Sequence, residues 1–514
     1  MQYLPKAPSP LPFFAARRTP SGVRVEGTER VRLGHEVDLG HGRELDGIFG
    51  RWEWDGKTLV VENDRYGMYP LFYSMWGGEI RISPSIRHVL DGSFPKTLDF
   101  AALAVFQRMG IFLGNDTPFE HVQVLPPGVR LVWSDAKSSL ESRCFGASGA
   151  PVKVRDFDEA VDQYAHLFAQ AISRRPPPAE GFDLALSGGR DSRHIFLELL
   201  DQGRSPRRTV TVQGYPPIAG EDRMIARQLA QAAGQQHDEV EYPSSYFEAT
   251  LQDIELTEFC ASGHTWLNAL AGYFESRGTQ CIYDGIAGDV LSAAHAQSQA
   301  KQELLLSGQT SQLANELLGE SGNEDFIHAC LPSEFTKRIS RSLAVDRLAR
   351  ELEKHRTTSN PFLSFVFWNR TRRNIGLVPF GILRDVATVF CPYLDHDLFD
   401  FLMSLEPAYA SQGLHDETIR RSYPDYAEVP YEGRSTTAPG RRELDRYYRK
   451  AARETLVYLA RNPGFMRSSL VRTTRFSALL ARSAVVRHPG KLWYLHPLLR
   501  GLVLEQAVGE VQGL

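Results

Sequence analysis

The chain has 514 residues, 42% of them hydrophobic and 23% charged. That composition excludes wholesale disorder, and the length suggests two or three domains. A formal net charge of -4 and a pI near 6.5 argue against nucleic-acid binding by bulk charge. No uninterrupted apolar run is long enough to cross a bilayer. Met1-Gln-Tyr-Leu-Pro-Lys runs into Pro8, Pro10 and Pro12 rather than an apolar signal stretch, so a cytoplasmic protein is expected. The five cysteines (Cys144, Cys260, Cys281, Cys330, Cys391) are scattered, odd in number and never spaced as CxxC. They are expected to be buried thiols rather than disulfide or zinc ligands.

Up to about residue 150 the chain reads as β-rich. Gly47–Trp54 alternates apolar and polar residues, Asp55-Gly56 supplies a hairpin turn, and Thr58–Glu62 returns. Pro70–Trp76 and Glu79–Ser83 form a second pair through Gly77-Gly78, and Pro126-Pro127-Gly128 precedes the short strand Val129–Trp133. An antiparallel sheet is predicted here. Beyond the polar stretch Ala147–Lys153 the pattern changes to a helix over Phe157–Arg174, a strand over Phe182–Leu186 and a helix from Ser192 to about Asp201. A strand over Thr209–Val212 and a helix over Asp222–Ala233 follow. Strand–helix alternation of this kind predicts a doubly wound parallel sheet. From about residue 300 the chain reads as helical, and Arg441–Arg500 carries fourteen Lys or Arg against three acidic residues. Such a run is expected as a solvated helical face, with docking of an acidic or peptide partner as the alternative.

Leu184-Ala-Leu-Ser-Gly-Gly-Arg-Asp-Ser puts a Ser-Gly-Gly turn between a buried strand and a helix. Glycines let backbone approach a phosphate closely, and a helix N-terminus offers free N–H groups at its positive end. Ser187, Gly188, Gly189 and Ser192 are therefore candidate phosphate ligands and Asp191 a candidate magnesium ligand. The plain alternative is a helix N-cap with glycines closing a turn. Val212, ending the next strand in Thr209–Gly214, either borders a nucleotide or belongs to sheet core. Glu221-Asp222 reads as an acidic first helical turn. A solvent-facing Arg193 and a packed His194 are expected after the loop. His264 and Trp266 are candidates for lining a substrate pocket, with core packing as the alternative reading of Trp266.

Ser187-Gly-Gly-Arg-Asp-Ser resembles the pyrophosphatase loop of the asparagine synthetase family. Asp284-Gly-Ile-Ala-Gly-Asp289 resembles that family's second glycine-rich loop, with Asp289 at its second magnesium-binding aspartate. Arg373-Asn-Ile-Gly-Leu-Val-Pro-Phe and Cys391-Pro-Tyr-Leu-Asp-His-Asp resemble its helical region. Leu45-Asp-Gly-Ile-Phe-Gly, Asp64-Arg-Tyr-Gly-Met-Tyr-Pro-Leu-Phe-Tyr and Gly114-Asn-Asp-Thr-Pro-Phe look like its glutaminase domain. Order and spacing fit over roughly residues 45 to 435. The sequence departs from the family in three places. Gln2 rather than cysteine follows Met1, so no thiolate is expected to attack glutamine, and the N-terminal domain is expected to be structural, as in the family's beta-lactam synthetase and lasso-peptide cyclase branches. Ile286 stands where the family has a proton-transferring glutamate, tyrosine or histidine. Thr436, in Gly433-Arg-Ser-Thr-Thr-Ala-Pro, stands near the family's late lysine, leaving Arg434 as the candidate positive charge or as a surface arginine.

The resemblance implies an α/β protein with residues 1–150 forming a degenerate, antiparallel β-rich domain of the Ntn-hydrolase type. Residues 151–435 would form a doubly wound parallel-sheet ATP-pyrophosphatase domain, and residues 436–514 a basic helical extension. The expected enzyme is an ATP-dependent ligase with Asp191, Asp289 and Arg434 as catalytic residues. ATP would lie on Ser187, Gly188, Gly189, Asp191, Ser192, Val212 and Gly285, with Mg²⁺ on Asp191 and Asp289. It would adenylate a carboxylate, release pyrophosphate and form an amide with an amine. The alternatives are a lasso-peptide-type macrolactam cyclase, an ammonia-dependent asparagine synthetase and a non-catalytic ATP-binding protein. Partners are expected to be a small-molecule or peptide carboxylate and an amine, without nucleic acid or membrane, and with a homodimer left open.

Overall fold

The computed structural model describes residues 11–40, 42–135, 138–142, 154–212, 221–261, 263–293, 298–320, 322–431, 441–490 and 492–508. Its first part is a pair of five-stranded antiparallel sheets. The strands are β1 (Phe14–Thr19), β2 (Gly22–Gly27), β3 (Arg30–Val37), β4 (Asp46–Trp54), β5 (Thr58–Asn63), β6 (Phe72–Trp76), β7 (Glu79–Ser83), β8 (Gln123–Val124), β9 (Val129–Ser134) and β10 (Ser138–Ser142). One sheet has the order β2-β1-β7-β6-β8 and the other β10-β9-β5-β4-β3. Alternate residues of β5 and β9 are buried, as period-two patterning requires. Trp52, Trp54, Leu59, Val61 and Trp133 from one sheet meet Phe14, Tyr73, Ile80 and Ile82 from the other, closing a core between them.

The strands are joined by α1 (Ile86–Leu90) and α2 (Phe100–Met109). After them come α3 (Phe157–Ser173), β11 (Asp183–Ala185), α4 (Arg190–Asp201), β12 (Arg208–Val212), α5 (Glu221–Ala232) and β13 (His237–Val240). Next are α6 (Tyr246–Leu256), α7 (Leu267–Ser276), β14 (Cys281–Tyr283), α8 (Gly288–Ser292) and, later, β15 (Thr388–Phe390). β11, β12 and β13 pair in parallel, as do β14 and β15. The predicted parallel sheet thus divides into ladders of three and two strands, with β14 lying beside β11. β11 and β14 have three residues each, which leaves little edge for a ladder between them. The rest is helical, as the sequence predicts, and ends in Arg441–Arg461, Thr473–Val485 and Leu495–Val508.

Buried arginines tie the sheet pair to the later chain. Arg175, 1% exposed, reaches Asp46 of β4 at 2.8 Å and Asp395 at 2.9 Å. Arg174 joins Asp395 to Asp397. Asp395 also caps the helix His396–Ser404, accepting the backbone N–H groups of Asp397 and Leu398. Arg372 donates instead to the carbonyls of Gly67, Gly114 and Leu125. Taking a charge out of water costs several kcal/mol, so these cations persist because their partners are prearranged around them.

Arg175→Met should therefore lower the unfolding free energy by roughly 3–5 kcal/mol, because it strips a buried partner from Asp46 and Asp395. Arg43→Ala, at the more exposed Asp397 pair, should change it by less than about 1 kcal/mol. Denaturant titration of both variants separates the two cases, and equal small losses would show that Arg175 does not hold the interface.

Candidate functional site

The Ser187–Ser192 loop follows β11 and opens α4, as the sequence predicts, although the helix begins at Arg190 rather than Ser192. The earlier start arises because the short turn ends at Gly189, which is the N-cap and supplies no side-chain cap. The first-turn amides of α4, at the positive end of the helix, are thus left without that acceptor. The rest of the loop is held from within. Gly188 donates its N–H to Asp222 at 2.5 Å, Gly189 donates to the Ser187 hydroxyl at 3.2 Å, and the Ser187 and Ser192 hydroxyls lie 2.9 Å apart. Whichever serine accepts in that pair keeps its own O–H free to donate to an external ligand, and the other reaches one only by exchanging partners.

Asp191 sits where this loop meets Asp284–Asp289. A Cβ placed on Gly285 would lie 2.6 Å from the Asp191 Cβ, and one on Gly288 would lie 2.6 Å from its Cγ. Neither position tolerates a side chain, which accounts for both glycines of the second loop. Between them Ala287 takes a left-handed φ of 74°, an uncommon conformation outside glycine that costs energy. It turns the chain so that the Asp289 N–H donates to Asp191 Oδ2 at 3.1 Å. Ile286 is buried, at 5% exposure, so position 286 presents packing surface rather than a titratable group.

The electrostatics at Asp191 are unfavourable for an anion. Burial raises its carboxyl well above the usual range, and the charges of Asp289 and Asp284 raise it further. Its Oδ1 is buried without a hydrogen-bond partner. Asp284, which accepts the Ile286 N–H at 2.8 Å, is also raised by burial. The cation on the same loop is committed elsewhere, since Arg190 pairs with Asp416. An orphaned carboxylate oxygen beside two further carboxylates fits a hard divalent cation. Among the described residues no group of three or more His, Cys, Asp or Glu is arranged to hold a metal, so a cation here would draw its remaining ligands from water or a phosphate.

Behind Asp191 lies a polar cluster that the sequence does not reveal. His415 is 3.7 Å from Asp191 Oδ1; its Nδ1 is 2.9 Å from the Ser292 hydroxyl and its Nε2 3.2 Å from the Tyr393 hydroxyl. Burial lowers the His415 pKa to about 3, so it stands as a neutral, hydrogen-bonded ring. His415 and Ser292 also line a cavity of about 350 Å³ with Arg190, Gly413 and Asp416. Tyr393 lies within the Cys391–Asp397 motif, but nothing local points to His415. Asp222, which reads as a plain first-turn acid, is instead the anchor of Gly188.

Arg193 is not solvent-facing, contrary to expectation. At 2% exposure it donates to the carbonyls of Val429 and Pro430 and lies 4.1 Å over the Tyr431 ring, because the helix turns it toward that strap. His194 is packed as expected, stacked on Phe168 at 3.6 Å. Val212 is buried at the end of β12. Trp266 immediately precedes α7, and His264 is half-buried, with its Nε2 enclosed and unpartnered. Arg434 and Thr436 lie outside the described residues, as do Gly214 and Cys144. The other four cysteines are free and buried.

Residues 34–143 match the glutamine amidotransferase domain, which covers β4–β10 and the second half of β3. That segment contains no cysteine. None of the curated proteins compared matches the chain. Among solved structures, the chain is similar to the allosteric regulatory enzyme of purine biosynthesis at 12% identity and a TM-score of 0.14, over 39% of this chain and 49% of that one. It is also similar to glutamine phosphoribosylpyrophosphate amidotransferase from B. subtilis, at 11% identity and a TM-score of 0.16, over 44% and 62%. The chain spans less than two thirds of either structure.

Gly285→Ala and Gly288→Ala should each cost roughly 1–3 kcal/mol of stability through overpacking against Asp191. Gly464→Ala, which meets open space, should stay within about 0.5 kcal/mol of the parent. Chemical denaturation of the three variants tests the contact, and a neutral Gly288→Ala would show that the two loops are not pressed together.

Proposed function

We propose that the chain is an ATP-dependent, amide-forming ligase that activates a carboxylate as an acyl-adenylate. The observation that supports this most directly is the meeting, at Asp191, of two glycine-containing loops that follow the parallel strands β11 and β14. In open parallel sheets, ligands bind at the carboxyl ends of strands. A match of residues 34–143 to a glutamine amidotransferase domain supports amide chemistry at the level of that segment.

In this reading the uncapped start of α4 receives the phosphates through its backbone amides. Ser187 and Ser192 add hydroxyls, one of them by giving up their mutual bond, and Asp222 holds Gly188 in place. Asp191 and Asp289 would hold magnesium, which supplies the charge neutralisation that lets pyrophosphate depart. Val212 would border the nucleoside, and Gly285 keeps the second loop close enough for Asp289 to take part. The cavity beside His415 would receive the carboxylate, with neutral His415 as a hydrogen-bonding wall rather than an acid. Arg434 would contribute positive charge from its loop. None of the four described thiols suits glutamine attack, since burial raises all four and pushes Cys260 and Cys281 up to about 12.

Ile286 favours a second reading. With a buried aliphatic side chain where proton transfer would be needed, the same loops would serve a protein that binds ATP without forming an amide.

With a suitable carboxylate, labelled pyrophosphate should exchange into ATP without any amine present. Asp289→Ala should abolish that exchange, because the charge developing on the leaving oxygens would go without a stabilisation of several kcal/mol. Release of phosphate rather than pyrophosphate would overturn adenylation. If exchange never appears across amino acids, uronic acids and peptides while ATP still binds, the binding-protein reading replaces the ligase.

A further inference from the structure

A second cavity, of about 340 Å³, lies away from the glycine loops, between α2 and the C-terminal helix Leu495–Val508. Its size is at the small end of ligand sites. Arg500, Phe106, Phe326, Thr265, His496 and Trp493 are among the residues that line it. Arg500 belongs to the basic stretch expected on a solvated face, yet it is only 5% exposed. Its guanidinium lies 3.6 Å over the Phe106 ring. Among the described residues no carboxylate is within ion-pairing distance of it and no acceptor takes its N–H groups. The groups that act on it electrostatically are Cys260 and Asp253; one oxygen of the Asp253 carboxylate lies 3.0 Å from His496 Nε2, and the other, Oδ1, is buried without a hydrogen-bond partner.

This differs from the other buried arginines. Arg108 pairs with Glu324, Arg175 with Asp46 and Asp395, and Arg372 and Arg193 with backbone carbonyls. A guanidinium keeps its charge at any physiological pH, and its burial without hydrogen-bond acceptors leaves a desolvation cost that the Phe106 ring and the field of Asp253 offset only in part. It therefore offers a fork of donors suited to a carboxylate. The walls set the rest of the ligand: the Phe106 and Phe326 rings are buried, and Trp493, 57% exposed, meets Phe326 edge-on at 5.0 Å at the rim. Thr265, 3% exposed, adds a hydroxyl to the lining.

We infer that this cavity is a binding site for a small aromatic carboxylate, with the anion on Arg500 and the ring between Phe106, Phe326 and Trp493. Such a ligand would bridge α2 of the N-terminal part to the C-terminal helix and stabilise their contact in proportion to its occupancy. The inference is independent of the ligase reading, since it uses none of the residues around Asp191.

The probes are phenylacetate, benzoate and indole-3-acetate, each against its uncharged amide, with thermal unfolding of the full chain and tryptophan fluorescence as readouts. At least one acid should raise the melting temperature saturably and change a fluorescence signal that Trp493→Phe removes. Its amide should bind roughly 10- to 100-fold more weakly, as removal of a charge-assisted pair predicts. Arg500→Met keeps the packing on Phe106 and removes the charge. It should melt no lower than the parent without ligand, and it should lose the preference for acid over amide. Equal binding of acid and amide, an unchanged preference in Arg500→Met, or no saturable response to any of the three acids would overturn the site.

Discussion

The contact on which the candidate site depends is the seating of Asp191 against Gly285 and Gly288. A carboxylate at the first turn of α4 would ordinarily face water and favour the helix dipole. Here the second loop closes over it so tightly that a methyl group on either glycine would collide with it. The closure brings Asp289 within hydrogen-bonding distance and leaves Asp191 Oδ1 buried without a partner. It also requires the left-handed Ala287. Strained backbone, an unsatisfied carboxylate oxygen and clustered negative charge all stand at one point, and each costs stability that a bound cation and phosphate would offset.

That point is carried by a scaffold whose parts are locked by buried charge. Arg175 links β4 to the cap of the helix Asp395 begins, and Arg372 holds the carbonyls of three N-terminal turns. Asp64 organises one of those turns, accepting the N–H groups of Tyr66, Met68 and Tyr69. The segment that matches a glutamine amidotransferase domain is therefore mechanically part of the molecule, whether or not it performs chemistry. Within the described residues it buttresses the later chain through these contacts.

Much of the framework is legible in the sequence because local patterns determine it. Alternation places β4, β5, β7 and β9 within a residue or two, and strand–turn–helix punctuation locates β11, α4 and β12. The glycines of both loops are visible as candidates, but the reason for Gly285 and Gly288 is not, since it lies in a residue almost a hundred positions away. Long-range partnership hides the remaining features as well. Arg193 looks like a surface residue until the Val429–Tyr431 strap covers it, and His415 acquires its neighbours only when α8 and the Cys391–Leu394 turn converge. Asp222 follows the rule for acidic first turns, and its bond to Gly188 is a tertiary fact that no spacing encodes. The buried position of Arg500 runs against its basic surroundings for the same reason.

The central claim is that the two loops form one magnesium–ATP site. Calorimetric titration of ATP into the purified chain, with and without Mg²⁺, tests it most directly. The account predicts saturable binding that needs the cation and weakens at least about tenfold in Asp191→Asn, a change of about 1.4 kcal/mol or more. Binding of equal strength in the variant and the parent, or binding indifferent to Mg²⁺, would contradict it.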